Sequence, residues 1–270
     1  MRMNSIAFLG AGNMATAIVD GLLRTGVTAA DNLTCLSASG QTAAQLAART
    51  GIRHATTPEE LLQHGDVLVV AFKPKHLGSA AAVYAPLTTG KLVLSLLAGK
   101  TLAQLQAVFP QARNIVRTMP NTPSRIGAGV TAWCSLQPLT TDDRGTVCAL
   151  LEALGTQLEV AEPQMDAITA ISGSGPGFFF EYAAAVREAA LAAGLPADVA
   201  HTLTVQTLLG SARLLAQTGT DPETLRDQVT SPNGTTHAGL GVLARADFRA
   251  LVRKTVLAAR DRAGEISRES

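Results

Sequence analysis

The first half of the chain alternates short apolar runs with stretches whose apolar residues recur at helical spacing. Ile6-Ala7-Phe8-Leu9 is an unbroken apolar run ending in glycines, and residues 15–24 then follow the helical period up to Gly26. Leu33–Leu36 predicts a second strand, and residues 42–49 a second helix closed by Gly51. Val67-Leu68-Val69-Val70-Ala71 and Leu92-Val93-Leu94-Ser95-Leu96-Leu97 predict two further strands. Glycine suits the residue after a helix because it adopts the left-handed conformation without a Cβ clash. Apolar strands without alternation, separated by amphipathic helices, mark a parallel sheet covered on both faces. This half predicts an α/β domain.

The pattern changes near Glu162. Residues 178–193, 197–217, Pro222–Gln228 and 248–266 carry long helical periodicities. Their apolar faces are wide: Leu203, Val205, Leu208, Leu209 and Leu214 leave little room for a solvated side. Helices this apolar bury more than one chain can cover, so a homo-oligomer is expected, with a twofold dimer as its simplest form. The expected division is a dinucleotide-binding domain over 1–163 and a helical substrate and dimerisation domain over 164–270.

Composition narrows the function. Charged residues make up 16% of the chain and hydrophobic ones 47%, which excludes a disordered chain. Lys plus Arg is 22 against 21 for Asp plus Glu, so there is no broad basic field for nucleic acid or an anionic lipid surface. No apolar stretch approaches the roughly 18–20 residues that span a bilayer, and the start MRMNSIAFLGAGN has no leader-like apolar run. A cytoplasmic location is expected. Cys35, Cys134 and Cys148 are too few and too scattered for a disulfide framework or a paired-cysteine zinc site.

The chemistry begins at Gly10-Ala11-Gly12-Asn13-Met14-Ala15, a G-x-G-x-x-A turn leaving a strand and opening a helix. Gly10 serves the tight turn, Gly12 lets backbone approach a pyrophosphate, and Ala15 allows close helix packing. The helix start offers unpaired N–H groups to the phosphates. An NAD site usually places an acid about 20 residues later to hold the ribose 2′-OH. Here the second strand ends in Leu36-Ser37-Ala38-Ser39-Gly40, with no acid. Ser37 and Ser39 accommodate a 2′-phosphate that a carboxylate would repel, so NADPH is the expected cofactor, with NADH the alternative.

Further loops sit at strand ends: Ala71-Phe72-Lys73-Pro74 and Leu97-Ala98-Gly99, where open α/β sheets bind ligands. Arg117-Thr118-Met119-Pro120-Asn121-Thr122-Pro123 reads as a rigid turn between prolines. Ser172-Gly173-Ser174-Gly175-Pro176-Gly177 and Ser231-Pro232-Asn233-Gly234-Thr235-Thr236 each read as a small-residue turn opening a helix, the geometry of an anion site. Met14 and Phe178-Phe179-Phe180 read as core or interface, and His237 as a solvent-facing residue one step into its helix.

With these motifs in place, the chain resembles the pyrroline-5-carboxylate reductase family. The resemblance rests on FLGAGNMA, AFKP, SLLAG, RTMPNTP, AITAISGSGPGFFFEY and LRDQVTSPNGTT, and covers nearly the whole chain. It implies an NAD(P)H-dependent imine reductase that completes proline synthesis, with a helical domain interlocked into a dimer, often within a decameric ring. It further implies that Leu9, Gly10, Ala11, Gly12, Asn13 and Met14 bind the diphosphate. Ala71, Phe72, Lys73 and Pro74, with Leu96, Leu97 and Ala98, would line the ribose and nicotinamide, and Asn121 would lie beside the nicotinamide. Ser231, Gly234, Thr235 and Thr236 would hold the substrate carboxylate and ring nitrogen, Thr236 being the catalytic hydroxyl. Glu162 matches an acidic position near the substrate. Three positions depart from the family pattern: Pro58 where an Asn often touches the adenosine ribose, Asn233 for a second glycine, and Gly177 for an alanine.

Two rival readings separate on the residues. A β-hydroxyacid dehydrogenase uses a catalytic lysine on the helix after a glycine-rich turn, yet this chain has no lysine between Lys100 and Lys254. A non-catalytic NADP sensor would not require the 231–236 loop.

Overall fold

The short apolar runs become strands because both of their faces are covered. β1 (Ile6–Leu9) and β4 (Val67–Val70) are buried at every position, as in a sheet sandwiched between helices. The computed structural model describes residues 5–63 and 65–268; His64 lies outside them. With β2 (Leu33–Leu36), β3 (Arg53–His54), β5 (Leu92–Ser95), β6 (Asn114–Met119), β7 (Gly129–Ser135) and β8 (Gly155–Glu159), the strands form one sheet in the order 3-2-1-4-5-6-7-8.

β1 to β6 run parallel, with Phe8 beside Cys35 on one side and Val69 on the other. The wholly parallel sheet expected from sequence needs one correction: β7 is antiparallel to β6 and parallel to β8. Only a short 3₁₀ turn, Thr122–Ile126, joins β6 to β7. A parallel return needs a crossover of about a dozen residues or more, which that connection does not have. A second correction follows, because Arg117, Thr118 and Met119 belong to β6 and the proline-bracketed turn starts only after them.

Helices cover the sheet on both sides. α1 (Asn13–Thr25) and α2 (Gln41–Thr50) end at Gly26 and Gly51, whose φ values of 68° and 76° match the expected glycine caps. Ile18 and Leu22 of α1 and Leu150 of α6 (Thr141–Glu152) pack with Phe8, Val69 and Trp133 on one face. Leu61 of α3 (Pro58–Gln63), Leu77 of α4 (Leu77–Tyr84) and Leu105 of α5 (Leu102–Val108) pack with Ala7, Leu68 and Val93 on the other. α1 lies so close to its neighbours that a Cβ at Gly21 would stand 2.5 Å from the Ala153 carbonyl oxygen.

At the amino ends of the strands Arg113 forms a clamp. Its guanidinium reaches Asp143 at 2.7 Å and Asp66 at 2.9 Å, and it also donates to the Gly90 carbonyl. Asp143 is buried, and hydrogen bonding to it and then to Asp66 holds Arg113 firmly charged.

Beyond β8 the chain is helical: α7 (Met165–Ile168), a π turn (Thr169–Gly173), α8 (Gly175–Ala192), α9 (Ala197–Thr218), α10 (Pro222–Gln228), α11 (Thr235–Arg245) and α12 (Phe248–Arg268). The expected glycine-rich turn at Ser172–Gly177 is corrected here. Ser172 and Gly173 end the π turn and the Ser174 amide donates to the Thr169 carbonyl at 2.8 Å in the wide i→i−5 pattern, while α8 opens at Gly175 within the motif. The Ser174 amide is thereby taken up and is not available to an anion. Two compact units result, Met1–Ser174 with Ala259–Ser270, and Gly175–Ala258. In the second, Phe179 is 69% exposed and Leu203 51%, so these apolar faces are uncovered within the chain. Among the described residues no helix is long and apolar enough to cross a membrane.

Candidate functional site

The carboxyl ends of β1, β2, β4 and β5 all open at the same edge of the sheet, and β1 is the point from which the strand order runs outward in both directions. Such a switch point leaves a crevice outside the strand ends. Backbone hydrogen bonds draw the loops together there: Gly10 N to Leu36 O (2.8 Å), Ala71 N to Leu9 O (2.8 Å) and Leu96 N to Val70 O (2.9 Å).

The first loop has two glycines with different constraints. Gly10 has φ 108°, and a Cβ there would meet the Ala71 carbonyl carbon at 2.6 Å. The fold itself excludes a side chain at that position. Gly12 has an ordinary extended conformation, φ −81°, and nothing stands within 4 Å of where its Cβ would be. It caps α1 with no side-chain hydrogen bond, and no acid lies in the first turn. Open space over an uncapped helix start fits a diphosphate, whose oxygens take the amide hydrogens. The residues present therefore fit a dinucleotide.

The remaining expected cofactor residues are placed unevenly. Ser37 is half-buried and accepts the Ala43 amide at 3.1 Å, so its oxygen caps α2 while its proton stays free to donate. Ser39, Lys73 and Ala98 are exposed, and Ala71, Phe72, Pro74 and Leu96 half-buried. The Leu97 side chain lies in the core, so this residue can offer a ligand only backbone. Asn121 is buried, and its Oδ1 accepts the Val130 amide at 3.0 Å. That bond anchors the side-chain amide and directs Nδ2 as its donor.

Glu162, expected beside the substrate, is tied within the first unit. Its Oε1 accepts the Leu102 amide at 2.7 Å and the Arg117 guanidinium at 3.0 Å. Arg117 is buried in β6 and needs a counter-charge. Sequence reasoning missed Arg117, whose ion pair joins residues 45 apart. It also missed the box at the start of α5, where Thr101 and Gln104 exchange side-chain and backbone hydrogen bonds. The spacing Thr-x-x-Gln ahead of an apolar stretch was a readable signal for the latter.

In the second unit the 231–236 segment is the turn that the sequence predicted. Gly234 donates to the Ser231 carbonyl at 3.0 Å, and Asn233 takes φ 59°, a conformation asparagine tolerates. A Cβ at Gly234 would fall 2.3 Å from Ser231 Oγ. Gly234 caps α11 with no side-chain bond, so Thr235 and Thr236 begin a helix with an open first turn. His237 is exposed as expected, and its Nδ1 accepts the Asn233 amide at 3.2 Å.

A mostly parallel sheet with a glycine-rich first turn at its switch point, joined to a helical unit with an open helix start, defines a dinucleotide-dependent oxidoreductase. Residues 5–99 match the family described as NADP oxidoreductase, coenzyme F420-dependent, and residues 162–266 match that described as pyrroline-5-carboxylate reductase dimerisation. A pyrroline-5-carboxylate reductase of Bacillus subtilis is 34% identical over 99% of this chain and 96% of its own length. One of Methanosarcina acetivorans is 32% identical over the whole of both. Among solved structures, a Coxiella burnetii pyrroline-5-carboxylate reductase superposes with a TM-score of 0.92 at 33% identity, covering 98% of both chains. A Plasmodium falciparum pyrroline carboxylate reductase with NADP bound gives 0.87 at 28% identity, covering 99% of both. The chain belongs to the pyrroline-5-carboxylate reductase family, oxidoreductases that convert 1-pyrroline-5-carboxylate to proline with NAD(P)H.

Proposed function

We propose that this enzyme reduces 1-pyrroline-5-carboxylate to proline with its sheet edge holding NADPH and its 231–236 loop holding the substrate. The single observation that carries the substrate assignment is the open first turn of α11 behind Gly234. Amides there donate to a carboxylate without an obstructing side chain, and Ser231, Gly234 and Thr235 shape the turn. Thr236, half-buried on that turn, accepts the N–H of the protonated ring nitrogen at its Oγ1. A protonated imine is already electrophilic, so holding that proton in place suffices and no strong general acid is needed.

The cofactor residues follow the sheet edge. Leu9 to Met14 take the diphosphate on the α1 amides, and Ser37 and Ser39 take the ribose 2′-phosphate. Ala71 to Pro74 and the backbone of Leu96 to Ala98 line the ribose and nicotinamide, and Asn121 gives its Nδ2 to the nicotinamide side. When bound, NADPH supplies the hydride for the imine carbon. The protein's part is orientation, since hydride transfer needs the reacting carbons about 3–3.5 Å apart.

The functional division falls at 163/164, supported by the dimerisation match that starts at residue 162. The uncovered apolar faces of α8 and α9 support a homodimer, with a decamer built from dimers as the larger alternative. The reading places the enzyme in the cytoplasm, with neither nucleic acid nor a membrane as a partner.

Replacing Thr236 by Ala tests the assignment. With NADPH and pyrroline-5-carboxylate, kcat is expected to fall about tenfold to a hundredfold while the KM for NADPH holds. An unchanged rate would overturn the role of that hydroxyl.

A further inference from the structure

We propose that the last turn of α12 positions the loop after β5, making Ile266, Ser267 and Gln104 positioning residues for NADPH. The inference rests on the reading above that Leu96 to Ala98 line the nicotinamide and ribose, and it concerns contacts within the first unit only.

The loop is held at three points. Gly99 has φ 75°, and a Cβ there would lie 2.6 Å from Ile266 Cγ2, so this side chain lies directly against the loop glycine. At the loop's far end Gln104 does two things with one amide group. Its Oε1 accepts the Thr101 N–H at 2.8 Å, closing the box that starts α5. Its Nε2 donates to the Ser267 carbonyl at 3.2 Å, fastening the same turn to the end of α12. Behind these, Glu162 Oε1 accepts the first amide of α5 and pairs with Arg117, the residue registered beside Ser95 at the end of β5.

The seat for α12 is itself built. Ser267 Oγ donates to Asp166 Oδ1 at 3.2 Å, and Asp166 lies 3.9 Å from Arg117 Nη2. Gly264 is buried, and its missing Cβ position lies 3.4 Å from Asp166 Oδ2, which lets the helix come down onto that carboxylate. A loop thus fixed from β6, from the start of α5 and from the chain's end arrives preorganised. Ordering it ahead of binding removes an entropic penalty that the cofactor would otherwise meet.

Gln104→Glu separates the fastening from the helix cap. Glutamate keeps an acceptor for the Thr101 amide and remains favourable in a capping box, but it loses the donor to Ser267 and sets a carboxylate against that carbonyl. In the full-length enzyme, Gln104→Glu and Ile266→Ala should each weaken NADPH binding about five- to tenfold. Binding is read by cofactor fluorescence without substrate. Tm should stay near the parent value and the KM for pyrroline-5-carboxylate should change less than twofold. A further arm tests the underlying reading: Ala98 is exposed, so Ala98→Leu leaves the fold intact and must weaken NADPH binding if the loop lines the cofactor. Parent-like NADPH binding in Gln104→Glu and Ile266→Ala, with Ala98→Leu impaired, overturns the positioning role alone. Parent-like binding in Ala98→Leu overturns the reading of the loop. Loss of Tm in proportion to loss of binding, with both KM values rising together, means a structural role only and also overturns the proposal.

Discussion

Gly10 and Ala71 approach so closely that a methyl group on the first would stand 2.6 Å from the carbonyl carbon of the second. Gly12, two residues on, has open space instead. The two fingerprint glycines therefore stand under different constraints, and substitution should separate them. Gly10→Ala combines a positive φ with a backbone clash and should lower stability by about 1–3 kcal/mol or more, measured by urea unfolding. Gly12→Ala should unfold near the parent midpoint yet lose most of its NADPH affinity, measured by titration of the folded protein. Parent-like affinity in Gly12→Ala would show that no phosphate comes close to that position.

Ser37 already caps α2 through Ala43, and an aspartate can accept the same amide. Ser37→Asp should therefore keep the fold while placing a carboxylate where a 2′-phosphate would bind. The KM for NADPH is expected to rise about tenfold or more, with that for NADH falling or unchanged. Equal effects on both cofactors would remove Ser37 from the phosphate site.

Arg113 sits between a buried aspartate and a half-exposed one. Removing it leaves Asp143 desolvated without a partner, so Arg113→Met should destabilise by about 2–4 kcal/mol, somewhat less than for a fully buried pair. Chemical denaturation measures the loss. The KM values of the folded fraction should hold, because the clamp lies at the amino ends of the strands, away from the ligand loops.

Burial pushes the Cys35 and Cys134 thiols up to about 11. A raised thiol pKa keeps the group protonated, and the protonated form is not the nucleophile. At pH 8 a disulfide reagent should find both inert in the native protein and release their equivalents only on unfolding. Rapid reaction of all three cysteines in the native state would contradict the buried placement.

How much could be read from sequence divides along physical lines. β1, β2, β4 and β5 were legible because strands buried on both faces are nearly continuous apolar runs, and α1 and α2 because glycines close them. β7 was not legible. Gly129–Ser135 mixes Gly, Thr and Ser with Trp133 and Cys134, and its direction depends on a connection length that no periodicity reports. Ser172–Gly177 misled because glycine and proline usually break helices, whereas a π turn here passes through the serine-glycine part and Pro176 falls in the first turn of α8, where proline lacks no needed donor. The 231–236 turn was legible because Asn233 and Gly234 carry conformational requirements of their own. The contacts of Glu162 were not legible because its partners, Arg117 and the Leu102 amide, come from elements distant in the chain.

The closeness of α1 to Ala153 makes that helix a strut with no slack. Its 13 residues reach about 20 Å from end to end, and at Gly21 there is not room for even one carbon atom. A methyl group added there touches no ligand, yet the rod must lift or tilt to accept it, and the amides at the helix start, proposed above to take the diphosphate, move too. Genetic variants at Gly21 should therefore present as cofactor-affinity defects, although the altered residue lies about two turns from the helix start.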